Sequence, residues 1–148
     1  MKIVLYSKND FNFAAKLTKI CDLSLDTIIF LDKYETDQVL AIPNAHAEGK
    51  LILDKDKLTE IESNNQVAFR YCNSEGSLEA GYPWNPNGAP NDIAGITNSR
   101  GNVLGMMPHP ERVFHGWQHT DWTSTGKNPD GPGDGRALFE GVVEFLCK

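Results

Sequence analysis

The sequence predicts an α/β layered domain, and three features predict it. Apolar runs of strand length at 2–6 and 27–31 flank a stretch with helical spacing at 11–21. Two further runs, 93–97 and 102–107, are joined by Asn98-Ser99-Arg100-Gly101. The chain closes on a segment from about Asp134 to Cys147 with a broad apolar stripe.

Each element has a local reason. Residues 2–6 are dense in β-branched and apolar side chains, which suits a buried strand. Phe13, Leu17, Ile20 and Cys21 recur at helical spacing. Thr27–Leu31 is a second strand-length run, and 38–43 a third, closed by Pro43. A loop at 44–49 leads to a short strand at 51–53. Asp54 is placed to cap a short helix whose buried face is Leu58 and Ile61. Residues 66–71 form the next strand, and 73–92, rich in Asn, Gly and Pro, a long loop. The joint at 98–101 predicts a tight antiparallel hairpin. Residues 115–135 form a second polar loop, long enough to expect function or mobility. In the last helix Ala137, Leu138, Val142, Phe145 and Leu146 supply the stripe.

Composition narrows the class. The 148 residues suit one domain, and 40% hydrophobic with 23% charged content excludes a wholly disordered or fibrous chain. Fourteen Lys and Arg against 20 Asp and Glu give a net charge of −6. With no basic block, nucleic acid is not an expected partner. No apolar run approaches the roughly 20 residues that span a bilayer, and the opening run is too short for a signal peptide. The three cysteines, Cys21, Cys72 and Cys147, are odd in number, widely spaced and without a CxxC pair. That usage fits reduced thiols in the cytoplasm.

The densest chemistry is Met107-Pro108-His109-Pro110-Glu111-Arg112. Two prolines restrain the backbone around His109 and Glu111. If the segment is extended, side chains two apart point the same way, and Glu111 bonds one imidazole nitrogen of His109. That fixes the tautomer and raises the basicity of the other nitrogen. Spacing alone also fits a solvated turn with an incidental pair. His46 and Glu48 repeat the i, i+2 pattern, as a surface pair or as pocket lining. His115, His119 and Asp121 have the spacing of a metal site on one helical turn, but Gly116 and the Gly/Pro-rich residues beyond argue against a helix, and no metal is expected. Trp117 and Trp122 in that loop either pin it to the domain or meet a partner.

The Pro-His-Pro-Glu segment resembles the His–Glu part of the class I glutamine amidotransferase triad. Within that class it is similar to the glutaminase subunits of phosphoribosylformylglycinamidine synthase. Ile42-Pro43-Asn44-Ala45-His46-Ala47-Glu48-Gly49-Lys50, Phe69-Arg70-Tyr71, Asn85-Pro86-Asn87-Gly88, Ile93-Ala94-Gly95-Ile96 and Asp134-Gly135-Arg136 with Phe139 resemble further family stretches, in the same order. The resemblance implies a flavodoxin-like layered sheet and a glutaminase that supplies ammonia for purine synthesis. It implies that His109 moves protons, that Glu111 orients His109, and that Ala45, His46 and Ala47 lie in the backbone that holds glutamine. A synthetase partner would consume the ammonia and carry the ATP and Mg²⁺ site, with no cofactor in this chain. Lys50 and Asn44 depart from the family's usual Arg and aliphatic residue.

The family's nucleophile sits on a Gly-x-Cys-x-Gly elbow, whose glycines permit a strained turn and bring backbone N–H groups to the oxyanion. This sequence has no such motif. Cys21 reads as a buried helix residue, and Cys72 and Cys147 as structural ends of elements. Residues 33–148 match the family and 1–32 match it poorly, so the expectation is a single partial domain, 1–148, shortened at its N-terminal side. Such a domain is expected to be inactive alone, to expose a sheet edge, and to depend on a cysteine-bearing half or another chain. The alternative is a non-catalytic remnant or a docking or regulatory domain on a synthetase.

Overall fold

The computed structural model describes residues 2–3, 29–35, 37–45, 49–79, 81–126 and 128–148. The expected helix near 11–21, Cys21 and the His46–Glu48 pair lie outside the described residues. Four strands form one sheet: β1 (Lys2–Ile3), β2 (Val67–Arg70), β3 (Ile93–Thr97) and β4 (Val103–Met106), in the order β1-β4-β3-β2. β1 runs parallel to β4, and the other two pairings are antiparallel. Among the described residues three α-helices accompany them: α1 (Lys55–Ser63), α2 (Trp122–Thr125) and α3 (Arg136–Leu146).

The β3–β4 hairpin forms where the turn residues place it. Asn98 Oδ1 accepts from the N–H groups of Asn102 and Val103 at 3.1 and 3.0 Å. Gly101 supplies the left-handed angle the turn needs, with φ 67°. At the sheet centre Gly95 faces Met106 across the hairpin and Phe69 on β2. A Cβ there would meet both side chains at 3.0–3.1 Å, so a larger residue would push the three strands apart.

α1 starts where Asp54 caps it, accepting from Lys57 N–H at 2.7 Å, and it buries Ile61 with Leu58 partly covered. Glu62 at its end accepts from Arg70 Nη2 at 2.9 Å and from Asn91 Nδ2 at 3.0 Å, tying helix, strand and loop together.

α3 lies on the sheet. Leu138 and Val142 join Leu104 of β4 with Ile29 and Phe30 to form the main core, flanked by Phe69, Met106 and Phe139. The helix begins two residues later than the sequence suggested, at Arg136, because Asp134 and Gly135 serve other contacts. Its N-terminus is capped from a distance: Tyr34 Oη accepts from Leu138 N–H at 3.2 Å and donates to the Asp134 carbonyl at 2.8 Å. Burial pushes the Tyr34 pKa up, which keeps the donating proton in place.

Three expected strands do not form among the described residues. The described part of the 27–31 run is a turn, closed by Tyr34 N–H to Leu31 O at 2.9 Å. Its apolar residues plug the core, with Phe30 0% exposed, and the Ile29 carbonyl abuts α3 at Gly141, where a Cβ would lie 3.1 Å from it. A short apolar run has the same periodicity in either case. Segment 38–43 hydrogen-bonds to loops: Ala41 N–H donates to Asp134 Oδ2 at 2.8 Å, and Pro43 O accepts from His109 N–H at 2.8 Å. Residues 51–53 form no strand, and Ile52 is 81% exposed, so burial rewards no ladder there. No helix among the described residues is long and apolar enough to cross a membrane.

Two outcomes are expected. Tyr34→Phe removes both capping bonds and lowers the free energy of unfolding in urea by about 1–3 kcal/mol. The Arg70 bond first, and then that from Asn91, holds the Glu62 carboxyl below its usual range. Its contribution is therefore complete above the unfolded-state pKa and is lost as pH falls through the folded one. Glu62→Gln should destabilise at neutral pH, and the gap from the parent chain should close under acid, as read from urea midpoints across pH.

Candidate active site

β4 leaves the sheet at Met106, and the chain turns at once into a 3₁₀ segment, Pro110–Val113, with His109 as its N-terminal flank. Pro110 takes the first helical position, where a missing N–H costs nothing. His109 Nδ1 and Glu111 Oε1 are 2.8 Å apart. The pairing expected from the sequence is present, but its geometric reason differs. The two side chains meet across the start of a 3₁₀ turn and not along an extended segment. His109 has φ −106° and ψ 87°, neither helical nor fully extended. Both side chains remain partly accessible, at 32% and 45%. With Nδ1 engaged by Glu111, Nε2 is the nitrogen left to serve a reacting group.

Backbone contacts place this turn. Met107 N–H donates to Ala94 O at 3.0 Å, and His109 N–H to Pro43 O at 2.8 Å. The second bond brings the 43–45 segment, with Ala45 exposed at its end, beside His109. Behind the turn runs the 131–135 segment: Gly133 N–H donates to Phe114 O at 2.9 Å and Gly135 N–H to Val113 O at 3.1 Å. A Cβ on Gly135 would lie 2.1 Å from Pro110 O, and one on Gly133 would lie 2.2 Å from Val113 O. Only glycine permits that approach.

The Asn-Pro-Asn-Gly loop closes on itself and reaches across. Asn85 exchanges hydrogen bonds with Ala89, N–H to Oδ1 and Nδ2 to O, each at 2.9 Å. It also donates to the buried Asp92 at 2.7 Å. Asn87 Nδ2 donates to Gly49 O. The segment predicted to hold glutamine is thus tethered at both flanks: at Pro43 by the backbone of His109, and at Gly49 by Asn87. Of its predicted residues, Ala45 is placed here, and His46 and Ala47 lie outside the described residues.

Other candidates separate from this site. His119 is buried and its Nε2 lies 3.3 Å from Asp134 Oδ1. His115 stacks on Trp117 with ring centroids 5.8 Å apart, and its N–H is taken by Gln118. Among the described residues no group of three His, Cys, Asp or Glu is arranged to hold a metal ion. Trp117 and Trp122 stay largely exposed. Cys72 is partly buried and Cys147 exposed, and neither bonds His109. Sequence reasoning missed Asp134 as a structural hub and Asn87 as a tether. Their signal was present only as the Asp-Gly-Arg and Asn-Pro-Asn-Gly stretches, whose partners are remote in sequence.

Comparison with known proteins gives a consistent set. Residues 2–146 match the family model for the CobB/CobQ-like glutamine amidotransferase domain. The phosphoribosylformylglycinamidine synthase subunit PurQ of Archaeoglobus fulgidus is 44% identical over 124 residues, which is 81% of this chain and 42% of that protein. The protein of the same name from Chlorobaculum parvum is 43% identical over 122 residues, 82% of this chain and 43% of its own length. That from Picrophilus torridus is 53% identical over 77 residues, 52% of this chain and 31% of its own length. The chain spans about two fifths of the length of the first two relatives.

The backing glycine gives a direct test of the site's construction. Gly135→Ala should lower stability by about 1–3 kcal/mol through overpacking against Pro110 and should shift the His109 ring resonances. Gly105→Ala, where a Cβ meets nothing within 4 Å, should leave both within error.

Proposed function

The chain belongs to the family of CobB/CobQ-like glutamine amidotransferase domains, an α/β class, and from that membership we propose that it forms part of the glutaminase subunit of phosphoribosylformylglycinamidine synthase. Its reaction is hydrolysis of L-glutamine to glutamate, with ammonia delivered to a synthetase subunit in purine biosynthesis. One observation carries the reading: the 2.8 Å His109–Glu111 pair stands on a turn whose backbone also holds Pro43, at the head of the predicted glutamine-holding segment.

The residues have separable tasks. Glu111 accepts a hydrogen bond from His109 Nδ1–H and holds the imidazole so that Nε2 faces the reacting centre. There His109 takes the thiol proton from a cysteine, and the thiolate attacks the side-chain carbonyl carbon of glutamine. His109 returns the proton to the departing nitrogen as the C–N bond breaks and a thioester remains. Water then loses a proton to His109, attacks the thioester, and releases glutamate and the thiol. Ala45, His46 and Ala47 form the backbone against which glutamine is held. The absence of a Gly-x-Cys-x-Gly sequence supports a nucleophile supplied from outside these 148 residues, on a cysteine-bearing partner segment.

The ATP and Mg²⁺ that drive synthesis are assigned to the synthetase partner, because nothing in this sequence resembles a phosphate cradle. A cytoplasmic location is supported by the odd number and wide spacing of the cysteines.

The purified chain alone should release no glutamate from glutamine. Mixed with a polypeptide carrying the cysteine elbow, it should become active. His109→Ala should then lower kcat by about 10²–10⁴, the scale of general acid–base catalysis, and Glu111→Gln should lower it with little change in KM. Association of the two polypeptides without any glutamate release would instead make this a non-catalytic docking domain. Glutamine-saturable activity of the chain by itself would overturn the split site.

A further inference from the structure

Asp134 stands one residue before Gly135, the N-terminal flank of α3, in a region where an aspartate commonly serves as a helix cap. Here the capping contact comes from elsewhere. Gly135 offers no side chain, and the Leu138 N–H is taken by the Tyr34 hydroxyl at 3.2 Å. The Asp134 carboxylate faces other segments. Its Oδ2 accepts the Ala41 N–H at 2.8 Å, and its Oδ1 lies 3.3 Å from Nε2 of the buried His119. His119 is itself held by its backbone: its N–H donates to Gly116 O at 3.2 Å, and its carbonyl accepts from Trp122 N–H at 3.3 Å.

The segment that Asp134 holds leads directly to His109. Two residues beyond Ala41, the Pro43 carbonyl accepts the His109 N–H at 2.8 Å. Residues 38–43 belong to no strand of the sheet, so no ladder fixes their place. The bond at Ala41 and the bond at Pro43 do so instead. On the other side of the turn, Gly135 lies against the Pro110 carbonyl and donates its N–H to Val113 O at 3.1 Å. Residues 134 and 135 therefore grip the His109 turn from two sides. The side chain of one acts through the 41–43 segment, and the backbone of the other acts on Pro110 and Val113.

We propose that Asp134 is a positioning residue whose carboxylate, steadied by His119, holds the 41–45 segment in register with His109. Under the amidotransferase reading, on which this consequence rests, that register sets how far the held glutamine lies from the imidazole. The register itself is observable without catalysis.

The Ala41 and His109 amides are the reporters, one at each end of the tie. Hydrogen exchange is measured by NMR on the full chain, on Asp134→Asn and on Asp134→Ala. Asparagine keeps an accepting oxygen without the charge, and alanine removes the acceptor. Exchange at both amides should quicken about threefold in Asp134→Asn and about tenfold in Asp134→Ala, while the β3–β4 hairpin amides keep their rates. If Asp134→Ala does not fold, Asp134→Asn decides on the same two amides. Faster exchange at Ala41 with His109 unchanged would overturn the role. So would equal acceleration at the hairpin, which marks a merely structural residue. In the active mixture with the cysteine-bearing polypeptide, Asp134→Asn should raise KM and lower kcat together, unlike Glu111→Gln, which spares KM. Both constants unchanged, with His109 exchange faster, would also overturn it. If no mixture releases glutamate, the amidotransferase reading fails, and the positioning role is decided by the His109 amide alone.

Discussion

Asp134 is the contact on which the arrangement around His109 depends. One carboxylate oxygen takes the Ala41 N–H, the other lies 3.3 Å from the buried His119, and the backbone carbonyl takes the Tyr34 hydroxyl. The 34–41 stretch, about a hundred residues upstream, and the loop at His119 therefore meet at the residue that leads into α3. The charge-assisted bond to Ala41 holds the 38–43 segment without any sheet ladder. That in turn sets where Pro43 lies, and Pro43 sets the backbone of His109.

Around this hub, backbone and glycine do more than side-chain bulk. The His109 turn is flanked by Pro43 O in front and by the Gly133 and Gly135 backbone behind. The apolar core under α3 supplies stability, but the His109–Glu111 pair owes its orientation to hydrogen bonds and close approach. Precision of this kind suits an acid–base pair, which loses much of its rate on small displacements.

Local signals were readable from the sequence where the cause is local. The Asp54 cap, the Asn98–Gly101 turn, the 67–70 strand and the α3 stripe each depend on residues within a few positions of one another. The His109–Glu111 pairing was readable too, although its basis is the 3₁₀ turn that Pro110 starts. Two of the three strand failures share one origin. Ile29 and Phe30 became a core plug, and 38–43 became a tethered loop, because their partners on α3 and at Asp134 lie about a hundred residues away. Hydrophobic periodicity registers that a segment is buried and not which surface buries it. The tether from Asn87 to Gly49 was likewise invisible, since an asparagine in a turn-rich stretch usually serves its own turn, as Asn85 does here.

The fit of Gly135 against Pro110 has a consequence for how such a site varies through descent. The position carries no charge, no donor side chain and no chemistry, yet the space available to it is smaller than one methyl group. Its neighbour Arg136 reaches Glu140 and covers the Phe114 ring, with partial exposure to solvent. Substitutions that persist around His109 will therefore be sorted by volume before they are sorted by chemistry. The least replaceable letters of the site will include ones that never meet a substrate.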